Sequence, residues 1–148
     1  MKRMTGITSM PGLWPNITLA LLRIVGGLMF MQHGAMKFFG VPLPGGMPAA
    51  MPVPKAFTLL WFAGALELVG GFLVAAGLFT RPVAFLLSGE MAVAYFTVHA
   101  RQGFFPLANQ GEPAVLFCFI FLIYAAIGGG RYSLDHLFFH RAPGVATM

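Results

Sequence analysis

Two glutamates occupy the positions in this chain that most need a chemical explanation. Glu67 and Glu90 lie inside long apolar runs, and the sequence has only four acidic residues in all. An ionised carboxylate at the centre of a bilayer costs at least ~2.5 kcal/mol when it faces lipid. We therefore expect both side chains to face a bundle interior. There they could be structural pairs that fix helix register, or a proton-linked or ligand-binding site.

Three basic residues of the first apolar run are the expected partners of these carboxylates. At 100° per residue, Arg23 and Lys37 share a stripe about 60° wide, with His33 on its border. The depth of each residue in the membrane follows from its distance to the helix end, at ~1.5 Å per residue. These depths predict an ion pair between Arg23 and Glu90 and a hydrogen bond between His33 and Glu67. These five residues form the predicted buried polar site.

A second polar group is predicted at the opposite ends of the helices from the chain termini. His99, Arg101, Asn109 and Glu112 all lie at or near helix ends on that side. Together with the end of the first helix they could form an outer mouth that binds a polar headgroup. No metal site is predicted. The methionines around His33 are ordinary packing residues of apolar helices, and the pair His136 and His140 lacks a third ligand.

The elements that position these residues are predicted to be four transmembrane helices. The 148 residues are 58% hydrophobic and 9% charged, whereas soluble domains carry about a quarter charged residues. Four apolar runs approach the ~20 residues needed to span a bilayer. They cover residues 16–39, 56–78, 82–99 and 113–128. The sequence therefore predicts an all-α, four-helix membrane bundle that forms one integral membrane domain over residues 1–148.

Turn residues and small residues predict how the spans are connected and packed. Residues 40–55 are dense in Pro and Gly and predict an extended loop, and Asn16 or Thr18 is the expected cap of the first helix. Gly77 can end the second helix and Pro82 can lie in the first turn of the third, which predicts a tight hairpin. Close helix packing is expected at Gly26, Gly27, Gly64, Gly70, Gly71 and Gly89.

Charge and cysteine content narrow the function classes. The net charge of +5 is scattered along the chain, so nucleic-acid binding is not predicted. Five basic residues near span ends lie on the side of the termini and three on the other, so both termini, with the tail 131–148, are expected in the cytoplasm. Cys118 is the single cysteine, and haem or iron–sulfur ligand spacing is lacking. We predict no intrinsic cofactor, so a quinone or a partner would have to carry any electrons.

Several short motifs, taken in order, resemble the DoxX family of small four-helix bacterial membrane proteins. The resemblance covers roughly residues 21–135. It rests on Leu22-Arg23-Ile24, His33-Gly34 and Lys37, Glu67-Leu68-Val69-Gly70-Gly71, Gly77 to Pro82, Glu90 to Phe96 with His99, Gly103 to Pro106 with Asn109, Gly111-Glu112, and Gly130 to Asp135.

The resemblance implies an accessory subunit of a membrane oxidoreductase or another redox or respiratory system in the bacterial inner membrane. The family-like polar positions are Arg23, His33, Lys37, Glu67, Arg81, Glu90, His99, Asn109 and Glu112. A quinone or lipid headgroup is the expected ligand, and membrane lipids, other membrane subunits or further copies of the chain are the expected partners. Two alternatives stay open: an assembly subunit with no chemistry of its own, and a small-solute transporter.

Overall fold

The computed structural model describes residues 12–40 and 53–139, and this part of the chain is built from helices. The helices are α1 (Leu13–Phe39), α2 (Leu59–Ala76), α3 (Thr80–Ala94), α4 (Glu112–Ile127) and α5 (Leu134–Phe139). The α3 helix continues as a π-helical turn, Tyr95–His99, and a 3₁₀ turn, Ala100–Gln102. The predicted all-α fold is confirmed. Most of the predicted loop 40–55, as well as His140, falls outside the described residues.

Among the described residues, three helical stretches are long and apolar enough to cross a membrane, and a fourth is apolar but shorter. The long stretches are Leu13–Phe39, Leu59–Ala76 and Thr80–Gln102, and the shorter helix is Glu112–Ile127. The third span was predicted to be short, but its π-helical and 3₁₀ turns extend it to 23 residues. The architecture is a four-helix membrane bundle.

Consecutive helices pack as two antiparallel pairs, α1 on α2 and α3 on α4. Contacts of α2 with α3 and of α1 with α4 join the pairs. We call the end that holds the α2–α3 turn and α5 the turn end. The opposite end, which holds the end of α1, the start of α2 and residues 103–111, is the loop end.

The α2–α3 turn forms as its sequence predicts. Gly77 ends α2 in the left-handed region, with φ of 73°, and Leu78 N–H donates to the carbonyl of Leu73 at 2.9 Å. This is the bonding of a Schellman motif, which favours glycine because a Cβ is unfavourable at positive φ. Pro82 lies in the first turn of α3, where its missing N–H has no helical partner to lose.

The start of α1 differs from its prediction. The helix begins at Leu13, so Pro15 lies in its first turn, and neither Asn16 nor Thr18 caps it. The Asn16 amide instead donates to the carbonyl of Gly12 at 2.8 Å, and the Thr18 hydroxyl donates to Trp14 at 2.9 Å. Proline is tolerated in a first turn, so it does not delay the helix as the prediction assumed.

Glycines bring α1 and α2 into close backbone contact. A Cβ added to Gly27 would lie 2.6 Å from the carbonyl oxygen of Gly71, and one added to Gly34 would lie 2.6 Å from that of Gly64. We call these four residues the glycine seam. The prediction for Gly89 was wrong, because it is exposed and a Cβ there would have no neighbour within 4 Å.

Candidate functional site

The centre of the candidate site is an ion pair between α1 and α2. Lys37 Nζ donates to Glu67 Oε1 at 2.5 Å, and the side chains are 18% and 5% exposed. Helical side chains lean toward the N-terminus of their own helix. Because α1 and α2 are antiparallel, Lys37 and Glu67 lean toward each other. The glycine seam holds the two backbones close, and the Lys37 side chain passes beside Gly64.

Glu90 of α3 joins this pair from the other half of the bundle. A Cβ on Gly70 would meet the side chain of Leu87, so Leu87 and Gly70 share a depth. Glu90, three residues nearer the loop end, is then at the depth of Glu67. Its carboxyl group interacts electrostatically with Glu67 and Lys37. We call Lys37, Glu67 and Glu90 the carboxylate cluster.

The carboxylate cluster is short of hydrogen-bond donors. Within the described part of the chain, Glu67 Oε2 and both carboxyl oxygens of Glu90 are buried and accept no hydrogen bond. Buried polar atoms in folded proteins almost always have partners, so each exception needs an explanation. The arrangement can accept a proton or a donor group from a ligand at these three oxygens.

The predicted ion pair between Arg23 and Glu90 does not form. Arg23 is buried at the turn end, where its two terminal nitrogens donate to the carbonyls of Gly129 at 2.5 Å and Tyr132 at 2.8 Å. It also lies against Gly77. Glu67, which shares the depth of Glu90, is ten residues from Gly77 along α2, or about 15 Å in depth. The prediction placed α1 too deep and ignored the lean of Arg23 toward the helix N-terminus.

The predicted hydrogen bond between His33 and Glu67 is also wrong. His33 precedes Gly34, which faces α2, so its side chain points about 100° away around α1. The imidazole lies against α4 instead, edge-on to the Phe117 ring at a centroid distance of 5.9 Å. The residue is exposed. Lys37, one turn later on α1, takes the role that the prediction gave to His33.

The loop end brings together two of the four predicted mouth residues. His99 Nδ1 lies 3.1 Å from the carbonyl oxygen of Asn109. The buried Asn109 side chain donates to Gly103 at 2.6 Å and accepts from the Gly111 N–H at 2.8 Å. Asn109 therefore holds loop 103–111 in shape by bonding its backbone.

Arg101 and Glu112, the other two predicted mouth residues, are exposed at the loop end. Arg101 lies in the 3₁₀ turn, and Glu112 begins α4 after its N-cap, Gly111. Neither forms an ion pair within residues 12–40 and 53–139. Their use as a headgroup site stays a prediction.

The turn end contains a polar network that the sequence reasoning missed. Asp135 of α5 accepts from the backbone N–H groups of Phe79 at 2.7 Å and Thr80 at 2.8 Å, so it caps α3 from a distant part of the chain. Arg81 donates to the carbonyls of Ala125, at 3.4 Å, and Ala126, at 2.5 Å, near the end of α4. The segment after α4 was predicted to be a polar tail. The sequence signal for this network was Asp135 itself, an acidic residue two positions after Ser133. Ser133 caps α5.

This network is almost complete but leaves two buried atoms without partners in the described part of the chain. They are Arg23 Nε and Thr80 Oγ1. The buried Tyr124 hydroxyl donates to the carbonyl of Leu19 at 2.7 Å and ties α4 to α1. The turn end is thus a structural lock between α1, the α2–α3 turn and the segment that follows α4.

The DoxX family model matches residues 18–100, which is more than half of the chain. The chain belongs to the DoxX family. The matched region of this DoxX protein contains the whole carboxylate cluster and Arg23, whereas Asn109 and Glu112 lie beyond it.

Relatives of this DoxX protein occur in several bacteria. An uncharacterized Haemophilus influenzae protein is 45% identical over 83% of this chain and 92% of its own length. A Bacillus subtilis protein named "Putative oxidoreductase CatD" is 31% identical over 80% of this chain and 85% of its own. An uncharacterized membrane protein of Mycobacterium tuberculosis is 29% identical over 87% and 90%. No solved structure is a significant match. This chain is a multi-pass membrane protein of the DoxX family.

Proposed function

We propose that this protein is an accessory subunit of a membrane oxidoreductase and that its carboxylate cluster exchanges protons with a bound quinone. The observation that carries the proposal is a set of three buried carboxyl oxygens, on Glu67 and Glu90, that have no donor among the described residues. A proton on Glu90, or a hydroxyl group from a reduced quinone, would supply what these oxygens lack.

Charge balance favours a proton-binding role. If Lys37, Glu67 and Glu90 were all ionised, the cluster would carry one uncompensated negative charge in an apolar environment. An isolated buried charge is so costly that such groups are usually neutralised. Because Lys37 bonds Glu67, we expect Glu90, which has no partner in the part of the chain that the structure describes, to hold a proton.

Quinone chemistry requires such a proton site. Reduction of a quinone to its hydroquinone consumes two electrons and two protons, one proton at each carbonyl oxygen. We propose that an oxidoreductase partner supplies the electrons and that Glu90 relays protons. The name of the Bacillus subtilis relative supports an oxidoreductase system.

We also propose that the protein lies in the bacterial cytoplasmic membrane with both termini in the cytoplasm. The distribution of basic residues along the sequence supports this orientation. The loop end would then face outward, where the exposed Arg101 would be available to a polar lipid headgroup.

Purification from native membranes tests the proposal most directly. We expect lipid extracts of the purified protein to contain a quinone and the preparation to contain an oxidoreductase subunit. The control is an unrelated four-span membrane protein that is purified from the same membranes with the same affinity tag. A preparation with neither quinone nor oxidoreductase would contradict the proposal.

Carbodiimide labelling tests the proton site itself. Dicyclohexylcarbodiimide reacts with protonated carboxyl groups in apolar surroundings. We expect the adduct on the peptide that contains Glu90 and not on that of Glu67, whose carboxylate is paired with Lys37. The Glu90→Gln variant is the matched control and should give no adduct. Equal labelling of both glutamates, or of neither, would contradict the assigned roles.

An assembly subunit is the second candidate, and the glycine seam together with the Lys37–Glu67 pair favours it. These features hold α1 and α2 together and need no reaction to explain them. This alternative predicts that Glu67→Gln and Glu90→Gln change the yield of the complex but not the turnover of the assembled complex. Our proposal predicts lower turnover for Glu90→Gln at an unchanged yield.

A further inference from the structure

The polar side chain of Gln32 points away from the bundle, into the surface of α1 that faces lipid. The buried face of α1 contains Arg23, Phe30 and Gly34. At 100° per residue, Gln32 lies about 180° around the helix from the middle of that face. Its side chain is exposed, and so is that of Leu28, one turn earlier. In an isolated chain, lipid would therefore surround the carboxamide of Gln32.

Gln32 also lies deep in the membrane. The glycine seam sets Gly34 beside Gly64, so in this antiparallel pair Gln32 is level with Leu66. Leu66 lies about 10 Å from the start of α2 and about 15 Å from its end, at ~1.5 Å per residue. The whole of α2 is comparable in length with the ~30 Å thickness of the hydrocarbon core. The carboxamide is thus inside the hydrocarbon, far from water at either surface.

This carboxamide makes no hydrogen bond within the part of the chain that the structure describes. Two exposed threonines of the spans differ from it. The Thr18 hydroxyl donates to the carbonyl of Trp14 at 2.9 Å, and the Thr97 hydroxyl donates to that of Val93 at 2.7 Å. These hydroxyls bond their own helix and need no other partner. An unpaired amide in hydrocarbon is costly, so we expect Gln32 to bond a group on another molecule.

The exposed residues around Gln32 recur along α1 at alternating intervals of three and four. This is the a/d spacing of the heptad repeat, by which parallel helices pack side by side. The β-branched residues Thr18 and Val25 take a positions, Leu21 and Leu28 take d positions, and Gln32 takes the next a position. All five are exposed, and we call them the outer stripe. β-branched a residues with leucine at d favour two strands, and one polar a residue fixes their register.

We infer that the outer stripe is the contact between two copies of this chain. Copies inserted in one membrane share an orientation, so a two-fold axis along the membrane normal makes their α1 helices parallel. Each residue of the stripe then meets the same residue of the second copy at the same depth. A carboxamide both donates and accepts, so two Gln32 side chains can satisfy each other. A lipid chain has no polar group to offer, and a different protein would need its own donor and acceptor at this depth.

This contact leaves the carboxylate cluster uncovered. Gln32 and the cluster lie at similar depths but on opposite sides of α1, because Lys37 belongs to the inward face. In the dimer, α3 and α4 of each copy therefore stay available to an oxidoreductase subunit. Dimerisation is independent of the proposed proton chemistry, and the carbodiimide reaction of Glu90 tests that chemistry separately.

Disulfide cross-linking of the purified full chain in phosphatidylcholine vesicles tests the interface. Every variant carries Cys118→Ala, so the introduced cysteine is the single thiol. Leu28→Cys places it in the outer stripe, and Val93→Cys places it on the exposed face of α3. A disulfide requires Cα atoms ~4.4–6.8 Å apart, so copper phenanthroline should form about ten times more dimer from Leu28→Cys. Equal cross-linking at the two positions would indicate random collision and would overturn the interface.

Variants of Gln32 test the amide contact. Energy transfer between fluorescently tagged copies, followed as lipid is added to the vesicles, gives the dimer dissociation constant. Gln32→Leu should raise this constant about tenfold, because interhelical hydrogen bonds of polar side chains contribute to association in membranes. Gln32→Asn keeps the donor and the acceptor and should recover most of the loss. Thr97→Val, the matched control, removes a polar group outside the stripe and should change nothing.

Two results of this titration would overturn the inference. One is an unchanged or lower dissociation constant in Gln32→Leu, which would show that the carboxamide does not hold the dimer. The other is an absence of energy transfer in the unaltered chain, which would assign the outer stripe to lipid or to a different protein. Misfolding does not confuse either result, because Gln32 makes no hydrogen bond within the described residues and its replacement should leave thermal unfolding unchanged.

Discussion

The turn end and the carboxylate cluster both place charged groups inside a membrane bundle, but they differ in how completely those groups are hydrogen-bonded. At the turn end, both carboxyl oxygens of Asp135 accept backbone N–H groups and both terminal nitrogens of Arg23 donate to carbonyls. Arg23 Nε and Thr80 Oγ1 are the buried atoms there that lack a partner in the described part of the chain. In the carboxylate cluster, only one of the four carboxyl oxygens of Glu67 and Glu90 has a donor among residues 12–40 and 53–139.

This difference separates structural polar groups from candidate functional ones. A buried group that only stabilises a fold gains from having every partner in place, since an unpaired one costs about 1–3 kcal/mol. A group that must exchange a proton or bind a ligand needs a vacant position. The turn end therefore has the features of a lock, and the carboxylate cluster has those of a site.

Loss of Arg23 should have the largest effect on stability. In Arg23→Met, the buried carbonyl of Gly129 and the partly buried carbonyl of Tyr132 lose charged donors worth roughly 1.5–3 kcal/mol each, so we expect destabilisation by about 4 kcal/mol. Thermal unfolding in detergent measures the change. Arg23→Lys keeps the charge but lacks the forked guanidinium that bonds both carbonyls. It should therefore recover part of the stability lost in Arg23→Met. A stable Arg23→Met protein would show that the turn end is not a lock.

Removal of the charge on Glu67 should come next. Glu67→Gln leaves the Lys37 ammonium without its carboxylate, and breaking a buried pair costs up to ~3–5 kcal/mol. Because Lys37 is 18% exposed and partly solvated, we expect about 2–3 kcal/mol. The double variant Lys37→Met with Glu67→Gln should recover stability in the same unfolding assay. Additive losses would mean that the pair is not coupled.

The glycine seam sets the distance across which Lys37 and Glu67 meet. In Gly34→Ala the new methyl group would lie 2.6 Å from the carbonyl oxygen of Gly64, so α1 and α2 must separate. We expect a loss of about 1–3 kcal/mol in unfolding experiments. Gly89→Ala is the control: its methyl group meets nothing, and helix propensity alone predicts a gain of up to ~1 kcal/mol. Equal effects at both positions would exclude close packing as the reason.

The cap that Asp135 provides to α3 should contribute less. In Asp135→Ala, the N–H groups of Phe79 and Thr80 lose their acceptor, and such substitutions cost ~0.5–2 kcal/mol. Amide hydrogen exchange should accelerate at these two positions and remain unchanged in the carboxylate cluster. Faster exchange throughout the bundle would mean that α5 supports more of the fold than this cap.

Periodicity and composition predicted the elements well because they act locally. The four apolar runs, the turn at Gly77 and the inward-facing stripe of α1 follow from residue spacing alone. Apart from the start of α1, where Pro15 was wrongly taken to delay the helix, the errors came from long-range geometry. The partner of Arg23 depends on where α1 enters the bundle, and the cap by Asp135 joins segments 55 residues apart.

The candidate site was only partly predictable, because part of it follows from local sequence and part depends on how the helices pack. The burial of Glu67 and the participation of Glu90 follow from the cost of charge in an apolar run, which needs no structure. The choice of Lys37 over His33 as the partner of Glu67 depends on which face of α1 meets α2. The glycine seam decides that, and the sequence gives no sign that Gly34 rather than Gly26 contacts α2.

Neutralisation of Glu90 should have the smallest effect on stability and the largest on the proposed chemistry. If Glu90 already holds a proton, Glu90→Gln replaces one neutral group by another of similar shape, and the unfolding free energy should change by less than about 0.5 kcal/mol. The variant should lose carbodiimide labelling and slow quinone-dependent turnover of the assembled complex. Glu90→Gln should therefore lower turnover with little loss of stability, whereas Glu67→Gln should mainly lower stability. If Glu90→Gln were as destabilising as Glu67→Gln, Glu90 would be an ionised structural partner, and the contrast with the turn end would fail.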